Sequence, residues 1–177
     1  MKKIIYLSIP FFTIALQAQV AIGKQDVSNT SVSLEFAETE ARGLILPYVE
    51  NKTGITVEGT IIYDTIDHKV KYLKDGGNWV NLTEDDGTIE TIGKADLTIQ
   101  TGKPEQSEAK AVIGADGETN TIPGVLVLSD TNKAMVLPIV PKPYDNIINP
   151  APGMMVYDID AHQLAVFNGT VWSFWKP

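Results

Sequence analysis

Short apolar runs broken by turn residues dominate the chain. Val32-Ser33-Leu34-Glu35-Phe36 alternates apolar and polar side chains, the period of a strand with one buried face. Val125-Leu126-Val127-Leu128 is continuously apolar, which predicts a strand buried on both faces. Ile61 to Tyr63, a polar turn from Asp64 to Lys69, and Val70 to Leu73 predict a β-hairpin. Met155 to Tyr157, Asp158 to Gln163 and Leu164 to Phe167 predict a second one. Each is followed by turn chemistry, Asp75-Gly76-Gly77-Asn78 and Asn168-Gly169-Thr170, because Gly and Asn adopt positive φ at low cost. A short third strand holding Trp79 or Trp172 then folds back on the hairpin, giving a three-stranded meander. The Leu46-Pro47 and Leu137-Pro138 pairs each end one element and force extended backbone. No long amphipathic helix is predicted, only one helical turn over Tyr144 to Ile148.

The pattern occurs twice. Ile22-Gly23 returns as Ile113-Gly114, and Asn29-Thr30 returns as Asn120-Thr121. Arg42-Gly43-Leu44-Ile45-Leu46-Pro47 returns as Lys133-Ala134-Met135-Val136-Leu137-Pro138, and Val49 returns as Val140, all 91 residues on. The block Gly59 to Asp64 returns as Gly153 to Asp158, and His68 as His162, now 94 residues on. Trp79 returns as Trp172 at an offset of 93, so one residue is lost near the Gly76/Gly169 turn. Two blocks kept in the same order identify a tandem module.

These readings predict an all-β fold of two tandem small β-meander modules, residues 19–83 and 111–177, with an irregular polar insert at 84–110. Within the insert, Ile89 to Gly93 and Asp96 to Gln100 are candidate short strands, and Gly102 to Glu108 reads as a loop. Glu84-Asp85-Asp86 reads as a solvated charge run. A module of this size is marginal alone. With no cysteine in the chain, disulfides cannot support it. Either the copies pack on each other, or chains associate.

The first 18 residues follow the plan of a signal peptide. Lys2 and Lys3 precede an apolar stretch from Ile4 to Leu16, and Ala18 offers a small residue for cleavage. The stretch is short for a membrane span, and no later segment is long enough to cross one. Losing Lys2 and Lys3 takes the net charge from −8 to −10. An acidic chain without a basic, aromatic-laced patch argues against nucleic acid as a partner. The expected location is outside the cytoplasm, either in the periplasm or at the cell surface or beyond.

The run Val20-Ala21-Ile22-Gly23, Arg42 to Pro47, Gly59 to Asp64 and Trp79 has a second set in Val112-Ile113-Gly114, Lys133 to Pro138, Pro152 to Asp158 and Val166 to Trp172. It resembles a repeat in secreted proteins of Bacteroidota that look like phage tail-fibre modules. The resemblance covers most of the mature chain apart from the insert. Copy one departs from it at Lys74-Asp75-Gly76-Gly77-Asn78. The resemblance implies a location, a style of fold and, by analogy with tail fibres, trimers and receptor binding. It implies no activity.

Candidate sites follow from residue types. His68 and His162, the two histidines, hold the same repeat position and suit either a metal or pH-sensitive contact or the end of a hairpin loop. Asp64, Asp67, Asp158 and Asp160 offer oxygens for calcium but fit the turns equally well. Tyr63, Trp79, Tyr157 and Trp172 read as repeat core, because aromatic cross-strand pairs stabilise small sheets. Phe174 and Trp175, near the C-terminus, read as an interface or ligand-binding pair. Asp64-Thr65-Ile66 fits the short O-glycan acceptor that the resemblance implies, making Thr65 a candidate modification site. No catalytic motif, phosphate loop or metal-binding His pair is present in the sequence, and no cofactor is expected. The leading expectation is a non-catalytic exported envelope or surface protein, adhesin-like or scaffold, acting on other envelope proteins or as a homo-oligomer. The alternative is a carbohydrate-binding module using exposed aromatics. A small envelope hydrolase is a third reading.

Overall fold

The computed structural model describes residues 19–84, 93–98, 100–106 and 108–176. The leader and the first candidate strand of the insert, apart from Gly93, lie outside them. Thirteen strands, one α-helical turn and one 3-10 turn at Asp75–Gly77 make up the regular structure among the described residues. The fold is all-β, as the apolar pattern predicts.

The first copy contributes β1 (Val20–Ile22), β2 (Val32–Phe36), β3 (Leu44–Ile45), β4 (Tyr48–Val49), β5 (Ile61–Asp64), β6 (Lys69–Leu73) and β7 (Trp79–Asn81). The second contributes β8 (Ala111–Ile113), β9 (Leu126–Leu128), β10 (Ala134–Val136), the helical turn α1 (Pro143–Asn146), β11 (Met154–Asp158), β12 (Gln163–Phe167) and β13 (Trp172–Trp175). Strands β5-β6-β7 and β11-β12-β13 are the two antiparallel meanders. Their hairpin loops have four residues each, with Asp64 opposite Lys69 and Asp158 opposite Gln163.

The glycine that opens each meander has a structural reason. Gly59 and Gly153 both sit at positive φ, 82° and 76°. At Gly153 a Cβ would also stand 3.0 Å from the Cβ of Tyr63.

Strands of both copies share sheets. β10 lies parallel on β2, completing the sheet β1-β2-β10. β3 lies antiparallel on β11, at the edge of the sheet β13-β12-β11-β3. β4 lies parallel on β5, and the single bridge Ile139 to Tyr157 repeats that contact in the second copy. β8 and β9 form a two-stranded parallel sheet.

Burial departs from the sequence pattern at three places. In β2, Ser33 and Glu35 are buried along with Val32 and Leu34, so the strand does not keep a polar face. Its central position between β1 and β10 pairs both of its edges. Glu35 is compensated there by Lys24 Nζ at 2.7 Å and by the Ser28 N–H at 2.5 Å. In the second copy the continuous apolar run is not buried throughout: Val125 is 60 % exposed and Leu126 42 %. Among the described residues, nothing pairs with the outer edge of β9. The segment from Asp96 is a turn rather than a strand. Asp96 Oδ1 accepts the Thr98 N–H, and the Thr101 N–H reaches back to Leu97 O at 2.8 Å.

Two apolar clusters hold the fold. One is Val140, Ile147, Met154, Val156, Ala165 and Phe167, with Trp172 against it. The other draws on both copies: Leu46, Tyr63 and Val70 from the first, Met155 and Val166 from the second. Truncating Met155, almost fully buried at this junction, to alanine should cost about 2–5 kcal/mol. Urea denaturation should show a lower midpoint with one transition for both copies; separate transitions would show that the shared cluster does not couple them.

Candidate assembly surface

The hairpin turns have a local explanation. His68 and His162 occupy the last loop position at φ of 56° and 53°. Left-handed backbone is uncommon for a non-glycine residue, and polar residues with short local hydrogen-bonding options populate it best. His68 is buried, and its Nδ1 has no hydrogen-bond partner among the described residues; His162 is exposed. No group of three or more metal-ligating side chains is assembled among the described residues.

The aspartate that starts each loop is fully buried and is satisfied differently in each copy. Asp64 Oδ2 accepts from Lys52 Nζ at 2.5 Å and Lys71 Nζ at 2.9 Å, while Oδ1 caps the Ile66 N–H. Asp67 binds Lys71 from the other side. Among the described residues no lysine side chain is bonded to Asp158; its Oδ1 accepts the backbone N–H groups of Lys142, Asp160 and Ala161. These contacts shape turns. Thr65 lies in the first loop, half-buried, with its hydroxyl on Val49 O at 3.2 Å.

Among the predicted core aromatics, Tyr63 is fully buried, whereas Tyr157, Trp79 and Trp172 are half-buried. Tyr63 stacks edge-on with Tyr48 at 5.4 Å. Its hydroxyl donates to Gly93 O or Asn168 O, each 3.1 Å away. Residue types pointed to neither of these partners. Asn168 is fully buried, its Oδ1 accepting the N–H groups of Thr170 and Val171 and its Nδ2 reaching Glu84 O. Gly93 and Gly169 meet backbone to backbone, leaving no room for a Cβ on either. The insert thus crosses the second copy's Asn-Gly turn and touches the first copy's buried tyrosine. The Asn-Gly dipeptide signals a turn, but nothing in its spacing signals this crossing.

The remaining apolar surface lies on strand edges and ends. Phe174 and Trp175 are 41 % and 47 % exposed on β13, an edge strand. Phe174 makes an edge-on contact with Tyr144 of the segment α1, at 6.0 Å. Trp175 is anchored across the copies by its indole N–H on Leu82 O at 2.6 Å. Ile45 on β3 is 50 % exposed, and Val125 and Leu126 are exposed at β9. Exposed apolar groups of this kind suit contact with another protein surface better than small-molecule chemistry. No helix among the described residues is long and apolar enough to cross a membrane.

Comparison with known families agrees with this reading. Residues 98–176, which hold β8 to β13, match the family described as "Phage tail like trimerisation region". The match supports a tail-fibre-like module in the second copy, a structural unit of protein–protein assembly. Neither the curated proteins nor the solved structures compared with the chain give a match.

The acid response of the Asp64 cluster follows from its charges. Burial works to raise the Asp64 pKa, but the hydrogen bonds from Lys52, Lys71 and the Ile66 N–H outweigh it and hold the group at about 2, below the 3.8 of a free aspartate. A carboxyl depressed on folding stabilises the fold above its unfolded pKa, and that contribution is lost as the pH falls through the folded value. Stability should therefore drop by about 2 kcal/mol between pH 5 and pH 2 on account of Asp64. Urea midpoints of wild type and Asp64→Asn across that range should converge at low pH; a constant gap would refute the assignment.

Proposed function

We propose that this chain is a non-catalytic, exported structural protein that self-assembles into trimers at a contact that includes its second copy, and presents its turns and aromatic edge to a partner at the cell envelope or surface. The observation that carries the reading is the coincidence of the trimerisation-region match over residues 98–176 with strands that are incompletely paired and apolar at their exposed edges. The leader motif, the tail-fibre-like repeat and the acidic charge support an extracytoplasmic scaffold or adhesin-like role.

Light scattering of the purified chain from residue 19 onward should give three times the monomer mass, independent of concentration over the micromolar range. A stable monomer would overturn the assembly reading.

A second reading is favoured by one feature only, the exposed Phe174–Trp175 pair, whose ring faces suit stacking on sugars. On that reading the protein is retained on an insoluble polysaccharide, and Trp175→Ala abolishes retention while leaving the native mass unchanged. Equal passage of wild type and variant through a polysaccharide panel would dismiss it.

A further inference from the structure

Two ladders bind the copies of the repeat together, and each is made only once. β10 lies parallel on β2, and β3 lies antiparallel on β11. β3 and β10 are the same segment of the repeat, with Leu44 standing 91 residues before Met135. β2 and β9 also correspond, since β1 lies parallel on β2 as β8 does on β9. Among the described residues, the first copy's parallel pair therefore has a third strand, and the second copy's pair has none.

The two strands that would meet are both open. Among the described residues, β9 is unpaired on its outer edge, and β3 is unpaired on the edge away from β11. Each open edge carries an exposed apolar side chain, Leu126 on one and Ile45 on the other, and Val125 adjoins the first. A parallel pair normally has both faces covered, and two strands are too few to be stable in water alone. Every copy's β10 is already used by β2, and its own β3 lies in a different sheet from β9. On a chain of net charge −8, an uncharged edge is also where two copies can meet with the least repulsion.

We infer that β3 of a second copy of this chain adds in parallel to the outer edge of β9, giving β8-β9 the third strand that β10 gives β1-β2. The inference rests on the self-assembly reading above and names its contact. The register follows from the ladder already formed. Met135 opposite Leu34 becomes Leu44 opposite Leu126, and Val136 opposite Glu35 becomes Ile45 opposite Val127. β3 keeps its own β11, so the sheet β13-β12-β11-β3 of one chain continues into β9-β8 of the next. The contact joins two different surfaces, head to tail, and such contacts close into rings when the rotation allows. Main-chain hydrogen bonds supply the affinity and the alternating apolar side chains supply the choice of strand.

The absence of cysteine gives a direct test. Ile45→Cys and Val127→Cys chains are co-expressed, oxidised, and run on a non-reducing gel beside each variant alone. A disulfide between positions 45 and 127 then links only different chains. The expected result is a band at twice the chain mass in the mixture and its loss in either variant alone, because adjacent paired positions bring Cα atoms within bridging range. If light scattering shows an oligomer but the mixture gives no such band, the contact is overturned and the assembly reading survives. If the protein is monomeric, both fall. Should Val127→Cys fail to fold by circular dichroism, the same experiment with Leu44→Cys and Leu126→Cys reads the neighbouring pair, with the same two outcomes.

Discussion

The first copy's meander does not enclose a core of its own. The buried ring of Tyr63 packs with Leu46 and Val70 from its own copy and with Met155 and Val166 from the other. Its hydroxyl reaches Asn168 O and Gly93 O, at the second copy's turn and at the end of the insert. Burying an aromatic ring is a large favourable term, and a buried hydroxyl without a partner is a costly one. Both requirements at Tyr63 are met only when the two copies and the insert come together. The shared sheets are the backbone counterpart of the same constraint. With about 65 residues per module and no disulfide, the copies pool part of their apolar surface in a shared cluster.

The second consequence of pooling is asymmetry. The two copies share a plan, yet equivalent positions do different jobs. Asp64 is held by two lysines, whereas Asp158 is held by backbone N–H groups. Gly43 packs so closely on β11 that a Cβ would overlap Met154, and its repeat partner Ala134 is exposed. One parallel pair is completed within the chain, and the other is left with an open, apolar edge. The trimerisation-region match falls on the half of the chain that carries that edge.

Much of this was legible in the residues. The meanders, their turns and the tandem relation follow from local rules: period-two apolar runs, Gly and Asn at turns, and blocks that recur in order. The exposed Phe174–Trp175 pair was legible because no repeat constraint required those side chains. What local rules could not reach was partnership at long range. An alternating pattern assigns Glu35 to a solvent face, because the pattern does not know that Lys24 and Ser28 will close over it. A continuous apolar run at Val125 to Leu128 signals burial on both faces, but not who supplies the second cover. The role of Asn168 as the crossing point of the insert depends on a backbone 75 residues away in sequence, at Gly93. Equally, nothing in the Leu-Pro pair announces that the strand before the proline pairs with the opposite copy.

The sharing of strands also fixes an order of events in time. A nascent chain emerges from its N-terminus, and a self-sufficient first module would be free to fold while the rest is still being made. Here the first module's buried tyrosine waits for Met155, Val166 and Asn168, and its parallel pair waits for β10. Contacts that span most of the sequence make folding slow, because the loop must close before the contact contributes. The first copy's shared cluster therefore cannot close until the last strands are present, a delay set by the topology.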